Sequence, residues 1–126
     1  MIAAVPESFG SRDAYAARSP AETWRQLRRL ASTDDYSDGQ VWDLVAWVWR
    51  SNTSASSLAE GATLYAQNCA ACHGETGQGD GVLADSVVGS AMPGEAAPSG
   101  PADFTDAARM LAASPALLHG KISRGG

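Results

Sequence analysis

Two cysteines and a histidine lie within five consecutive residues near the middle of this chain. The segment reads Cys69-Ala70-Ala71-Cys72-His73, and it holds both cysteines of the 126-residue sequence. On a helical turn, residues three apart lie on one face, so both sulfur atoms point to the same side. The imidazole that follows lies beside the same surface. The spacing therefore combines two thiol nucleophiles with one strong metal ligand.

This arrangement is the signature of covalent c-type haem attachment. Cys69 and Cys72 can add to the vinyl groups along one edge of a porphyrin, and His73 is then directed at the iron as a neutral axial ligand. The other ring nitrogen of His73 needs an acceptor that fixes the ring plane, and the carbonyl of Pro101 is a candidate. Residues 57–126 are few for an unaided hydrophobic core, so we expect the haem-free protein to be largely unfolded.

Two other chemistries use the same residue types. A redox-active C-x-x-C dithiol belongs in a βαβ setting, which this sequence does not predict. A zinc site would recruit Cys69, Cys72, His73 and His119. Cys72 and His73 are adjacent, which strains a tetrahedral site, and His119 lacks the paired histidine that zinc fingers have. The haem interpretation is therefore favoured over a dithiol or a zinc site.

Composition limits the partners of the chain. The formal net charge of −5 argues against nucleic acid and is compatible with a basic redox partner. No stretch approaches the roughly 18 consecutive apolar residues of a membrane span. Residues 1–10 lack the basic flank and apolar run of a secretory signal. We expect a mature protein without a membrane span, or a chain from which the targeting segment is missing.

Helical periodicity and capping residues predict an all-α chain. A serine followed three residues later by Glu or Gln marks a helix start at residues 19–22, 37–40 and 57–60. The second of these helices is apolar nearly all round through residues 41–50. Shorter helices are expected at 107–111 and after Ser114-Pro115. The segments expected to be irregular are 1–18, 74–81 and 82–102, and no period-2 alternation predicts a strand.

Residues 60–81 closely resemble the first helix, haem motif and glycine-rich loop of the class I cytochrome c family. Gly61 and Tyr65 match the glycine and the aromatic residue at which the family's first and last helices cross. Residues 101–106, Pro-Ala-Asp-Phe-Thr-Asp, are similar to a segment common in bacterial members. The resemblance implies a small all-α domain around one covalent haem, an electron carrier rather than an enzyme, and redox proteins as partners. It also implies assembly in the periplasm or another extracytoplasmic space.

The resemblance breaks off at the end of the chain. In the family, a loop with a methionine ligand and a final helix follow the helix that starts near Ser114, whereas this sequence stops at Gly126. Residues 38–47 resemble that final helix instead. We therefore expect residues 57–126 to be a cytochrome c-like domain that is incomplete at its C-terminus. Residues 1–56 are then a helical extension resembling the end of a preceding cytochrome domain.

Helix 41–50 has an apolar surface that something must cover. We expect it to pack near Gly61, within the chain or by exchange between copies. A tandem or multi-domain cytochrome is the favoured origin of this order of elements. Self-association through helix 41–50 and a neighbouring cytochrome domain are therefore the expected protein contacts.

The second axial ligand of the iron stays open at this stage. Met92 is followed by a proline, as in the family's ligand loop, but it precedes residues 101–106. Met110 lies in a predicted helix, His119 is a further candidate, and the chain can also lack such a ligand. A methionine ligand raises the potential and closes the iron, whereas an open position admits small ligands.

Single-electron transfer is the leading hypothesis, because no nucleophile–base pair or phosphate-binding loop accompanies the haem motif. One alternative is a haem domain with an open sixth position that senses small ligands or performs peroxide chemistry. The other alternative is a relay domain of a larger oxidoreductase, which passes electrons between fixed neighbours.

Overall fold

A computed structural model describes residues 5–87 and 100–124 of the chain. This part of the chain contains α-helices and short 3-10 turns and no β-strand, which confirms the expected all-α class. The chain divides into two compact units, Met1–Ser54 with Leu111–Gly126 and Ala55–Met110.

The helices follow one another as α1 (Glu7–Gly10), α2 (Arg12–Ala17), α3 (Pro20–Arg28), α4 (Asp38–Ser51), α5 (Ala55–Asn68), α6 (Ala70–His73), α7 (Ala107–Leu111) and α8 (Pro115–Arg124). Turns of 3-10 helix lie at Ala31–Thr33 and Ala84–Val87. Helices α1 to α4 and α8 belong to the first unit, and α5 and α6 belong to the second.

Serine caps set the start of three predicted helices. Ser37 and Gln40 form a reciprocal capping box, in which the Ser37 hydroxyl accepts the Gln40 amide at 3.1 Å and the Gln40 side chain accepts the Ser37 amide at 2.8 Å. The Ser19 hydroxyl accepts the amide of Glu22 at 3.1 Å, and Ser114 caps α8 in the same way. These bonds satisfy backbone donors that a helix start leaves unpaired. The predicted starts of α3, α4 and α8 are therefore confirmed.

Two predictions about helix boundaries are wrong. Residues 5–18 are not irregular, because they contain α1 and α2, and the hydroxyl of Ser11 caps α2 by accepting the Ala14 amide at 3.2 Å. The third predicted cap also fails, since α5 begins at Ala55 and Ser57 lies inside its first turn. A serine followed by an acidic residue is compatible with a helix interior as well as with its start, which explains the second error.

The first unit has a conventional apolar core. Val41, Leu44, Val45 and Val48 are buried along one face of α4, at helical spacing. Leu27 of α3 is fully buried in the same cluster. The first unit therefore covers this apolar face of α4, as the sequence requires.

The tryptophans of α4 also pack within the first unit. Trp42 stacks on Trp24 with ring centroids 5.7 Å apart, and Trp49 meets Tyr15 edge-on at 5.1 Å. All four rings are half-buried. Less aromatic surface thus remains for an interface than the sequence suggests. Self-association through helix 41–50 and its packing near Gly61 both stay predictions.

Helix α8 packs against α2 in the first unit. Residues 111–124 therefore group with the N-terminal helices, whereas the sequence places them in a domain of residues 57–126. Ala113 and Gly120 are the buried positions of this segment. The division into an N-terminal extension and a C-terminal haem domain stays a proposal.

Replacing Leu44 with alanine should destabilise the first unit by about 2–5 kcal/mol, because the truncation leaves a cavity in a fully buried cluster. Chemical denaturation followed by far-ultraviolet circular dichroism measures this loss. Asp43→Ala on the same helix is the matched control, since Asp43 is exposed and alanine suits a helix. Equal stabilities for the two variants would contradict the description of this core.

Candidate haem site

The cysteines and the histidine lie where α5 passes into the short helix α6. The amide of Cys69 still donates to Tyr65 at 2.8 Å, as in a continuing helix. The carbonyl of Cys69 then accepts the amides of Cys72 at 3.2 Å and His73 at 2.9 Å, which starts the new turn. Both thiols are half-buried and free of a disulfide bond. The motif therefore lies on a helical turn with two sulfur atoms able to react.

Every backbone carbonyl of α6 has a partner, although the last carbonyls of a helix have none within it. One partner is the amide that follows the helix, and the others come from alternate residues of the next loop. The amide-to-carbonyl pairs are Gly74 to Ala70 (2.8 Å), Gly79 to His73 (2.7 Å), Gly81 to Cys72 (3.1 Å) and Leu83 to Ala71 (2.8 Å). The loop thereby holds the four-residue helix in place.

Glycine is required where this loop approaches its neighbours. Gly79 has a φ of +82°, and a Cβ there would lie 2.7 Å from the carbonyl oxygen of Pro101. A Cβ on Gly81 would overlap the carbonyl oxygen of Ala71. A side chain at either position would push the loop away from its neighbours. The glycine-rich loop predicted from the sequence therefore packs closely against the turn that carries His73.

The ring of His73 is oriented by a hydrogen bond from Nδ1 to the carbonyl oxygen of Ala102, at 3.0 Å. A carbonyl oxygen can only accept, so Nδ1 carries the proton and Nε2 keeps its lone pair. The acceptor is Ala102, so the prediction that Pro101 supplies this carbonyl is wrong. The Pro101 carbonyl lies against Gly79 instead, which leaves the next carbonyl for the imidazole.

The segment that supplies this carbonyl is anchored at several points. The amide of Phe104 donates to the carbonyl of Gly77 at 2.6 Å. The ring of Phe104 stacks on the imidazole of His73, with centroids 4.4 Å apart and an interplanar angle of 22°. The carboxylate of Asp103 accepts the hydroxyl and the amide of Thr105, and these bonds lower the pKa of Asp103. Residues 101–105 therefore dock directly on the haem motif.

Comparison with protein-family models gives a match of residues 58–118 to the family described as Cytochrome c. This chain contains a cytochrome c domain. Haem-based electron transfer is the general function of such a domain. Comparison with curated proteins and with solved structures gives no significant match.

Tyr65 of the cytochrome c domain has a contact that the sequence did not predict. Its phenol donates to the carbonyl of Gly74 at 2.7 Å, which joins α5 to the end of the haem motif. Desolvation, followed by the charges of Cys69 and Asp80, raises the pKa of Tyr65. The phenol therefore keeps its proton, and with it this hydrogen bond, to a higher pH than an unperturbed tyrosine does. Tyr65 also lines an open groove along α5 with Leu58, Gly61, Ala62 and Ala66.

Residues 55–85 and 100–110 of the second unit bury no apolar side chain. Only Gly74 and Gly77 are buried there, while Leu58, Leu64 and Leu83 are exposed and Val82 is 93% exposed. A chain segment of this size needs a core to be stable on its own. A porphyrin held by Cys69 and Cys72 would supply that apolar interior. The free thiols, the available Nε2 and the exposed apolar side chains therefore fit a haem.

Two of the three other predicted axial ligands lie among the described residues. Met110 is half-buried on α7, His119 is exposed on α8, and Met92 lies outside the described residues. Within residues 5–87 and 100–124, no three His, Cys, Asp or Glu side chains gather as metal ligands. The zinc alternative therefore has no assembled ligand set there. None of the helices in these ranges is long and apolar enough to cross a bilayer.

Gly81→Ala should destabilise the haem-loaded protein by about 1–3 kcal/mol, because the added methyl group overlaps the Ala71 carbonyl and forces the loop off α6. Thermal unfolding of the purified holoprotein measures the change. Gly100→Ala is the control, since no described atom lies within 4 Å of a Cβ at that position. The described packing of the loop would be refuted by a Gly81→Ala protein as stable as the Gly100→Ala protein.

Proposed function

We propose that this chain carries single electrons through one covalently attached c-type haem, with Cys69 and Cys72 as the thioether residues and His73 as the proximal ligand. The observation that carries this proposal is the 3.0 Å hydrogen bond from His73 Nδ1 to Ala102. It uses Nδ1 as the hydrogen-bond donor, so Nε2 is the ring nitrogen that would bind a metal. A bound haem supplies an iron that gains and loses one electron.

The two thiols would attach the haem by simple addition. Each sulfur bonds to one vinyl carbon and the thiol proton passes to the other carbon, so no external oxidant or reductant is consumed. Cys69 precedes α6 and Cys72 lies within it, on a turn braced by loop amides. These backbone hydrogen bonds fix the turn that carries both cysteines, which would hold the haem through its vinyl groups.

His73 contributes both orientation and electron donation. The bond from its Nδ1–H to the Ala102 carbonyl makes the imidazole more basic, which favours the oxidised state of a bound iron. The backbone of His73 is held at the same time by the amide of Gly79. A ligand fixed at both ends moves little when the charge on the metal changes. Small rearrangement is the property that an electron carrier needs.

The proposal extends to location and partners. Covalent haem attachment supports assembly in the periplasm or another extracytoplasmic space, and the partners are redox proteins. The net charge of −5 is compatible with a basic docking surface on such a partner. A neighbouring cytochrome domain, or a relay role within a larger oxidoreductase, fits the same chemistry. Met92, Met110 and His119 remain the candidates for the second axial ligand.

A redox titration of the holoprotein should give one reversible one-electron transition, and carbon monoxide should leave the spectrum of the reduced protein unchanged. His73→Ala should shift the midpoint potential of this transition, because the iron loses its proximal ligand while the thioether bonds keep the haem attached. Asp43→Ala, at an exposed position of the first unit, is the control and should keep the midpoint potential. Rapid carbon monoxide binding would contradict an electron carrier and favour sensing or peroxide chemistry at an open iron.

A further inference from the structure

We infer that Phe104 is a positioning residue for His73: its ring fixes the plane of the imidazole and covers the hydrogen bond to Ala102. This inference rests on the proposed function, since it concerns the histidine that would bind the iron. No sequence motif singles out Phe104 for this role. The structure places it there through a stacking contact with centroids 4.4 Å apart and planes 22° apart.

The stack removes a freedom that the hydrogen bond leaves. A single bond from Nδ1 of His73 to Ala102 fixes one edge of the imidazole but still lets the ring rock about the line joining the two atoms. A second ring lying nearly parallel against its face blocks that motion, because rocking would separate the two π surfaces. The direction of the Nε2 lone pair is thereby fixed as well.

The ring also protects the hydrogen bond from water. Both His73 and Phe104 are half-buried, so solvent reaches this part of the domain. Water that reaches Nδ1–H competes with the Ala102 carbonyl and weakens the donation that makes the imidazole basic. An apolar ring stacked on the imidazole face excludes water from that side. Phe104 therefore acts through His73 and not on a metal directly.

The backbone holds Phe104 independently of its ring. The Phe104 amide donates to the carbonyl of Gly77, and a Cβ on Gly77 would lie 3.3 Å from the Phe104 Cβ, so the two backbones approach closely. The next turn is closed by the bonds from Thr105 to Asp103. A substitution of the Phe104 side chain therefore leaves these anchors in place. The effect of the ring can be measured without dismantling the segment.

The test compares Phe104→Leu, which keeps apolar bulk, with Phe104→Tyr, which keeps the aromatic face. The measurement is the hydrogen-exchange rate of His73 Nδ1–H by NMR in the diamagnetic reduced holoprotein. We expect exchange about two- to tenfold faster in Phe104→Leu, the range that corresponds to the loss of one aromatic stack. Phe104→Tyr should exchange like the unmodified protein. Equal rates in the two variants would overturn the inference.

Tyr65→Phe separates positioning from general loosening. This variant loses the hydrogen bond to the Gly74 carbonyl in the same unit but leaves the His73–Phe104 stack intact. Its Nδ1–H should exchange at the unmodified rate even though the domain becomes less stable. If Tyr65→Phe accelerates exchange as much as Phe104→Leu does, the role of Phe104 is merely structural and the inference fails.

Failure of the proposed function is recognised before any variant is made. An unmodified protein without covalent haem, or with a His73 Nε2 resonance unaffected by a metal, would refute the proposed function itself. The unmodified protein can pass both checks while Phe104→Leu and Phe104→Tyr exchange at the same rate. That outcome would refute only the role of Phe104.

Discussion

The hydrogen bond between His73 and Ala102 is the contact on which the second unit depends. It joins two residues that are 29 positions apart, and so brings residues 101–105 onto the haem motif. The same docking places Pro101 over Gly79 and Phe104 on the imidazole. All of these contacts hold the same short segment against the same loop. The imidazole is therefore part of the fold as well as a candidate ligand.

The two units are stabilised by different means. The first buries Leu27, Leu44 and their neighbours in an apolar cluster, which provides a hydrophobic driving force without a cofactor. The described part of the second relies on backbone hydrogen bonds and one ring stack, with its leucines exposed. We therefore expect the absence of haem to unfold the second unit and not the first. A cofactor that also served as the core would explain how so small a domain could hold a ligand rigidly.

The sequence predicts several features that depend on interactions between close neighbours, although Ser57 lies inside α5 and not at its start. The Cys69–His73 spacing predicts the helical turn, and the serines before α3, α4 and α8 predict those starts, because each involves residues only three or four apart. The family resemblance of residues 60–81 and 101–106 is confirmed by the match over residues 58–118.

Contacts between distant residues could not be read in the same way. Nothing in the spacing distinguishes the carbonyl of Ala102 from that of Pro101, since the choice depends on how residues 101–105 pack against the glycine-rich loop. The stacking of Phe104 and the packing of α8 on α2 are likewise set by tertiary contacts between residues far apart in sequence. Periodicity and capping carry no information about such pairs. The family-like segment 101–106 contains Phe104, but the sequence alone does not indicate what that ring contacts.

The central claim is that Cys69 and Cys72 hold a haem covalently beside His73, and the intact mass of matured protein tests it most directly. The protein should be made in a host that attaches c-type haem, then denatured and analysed by mass and by visible spectrum. We expect the mass of the polypeptide plus one haem, with a haem spectrum that persists after unfolding because the thioether bonds survive. Colourless protein with the mass of the bare polypeptide would contradict the claim.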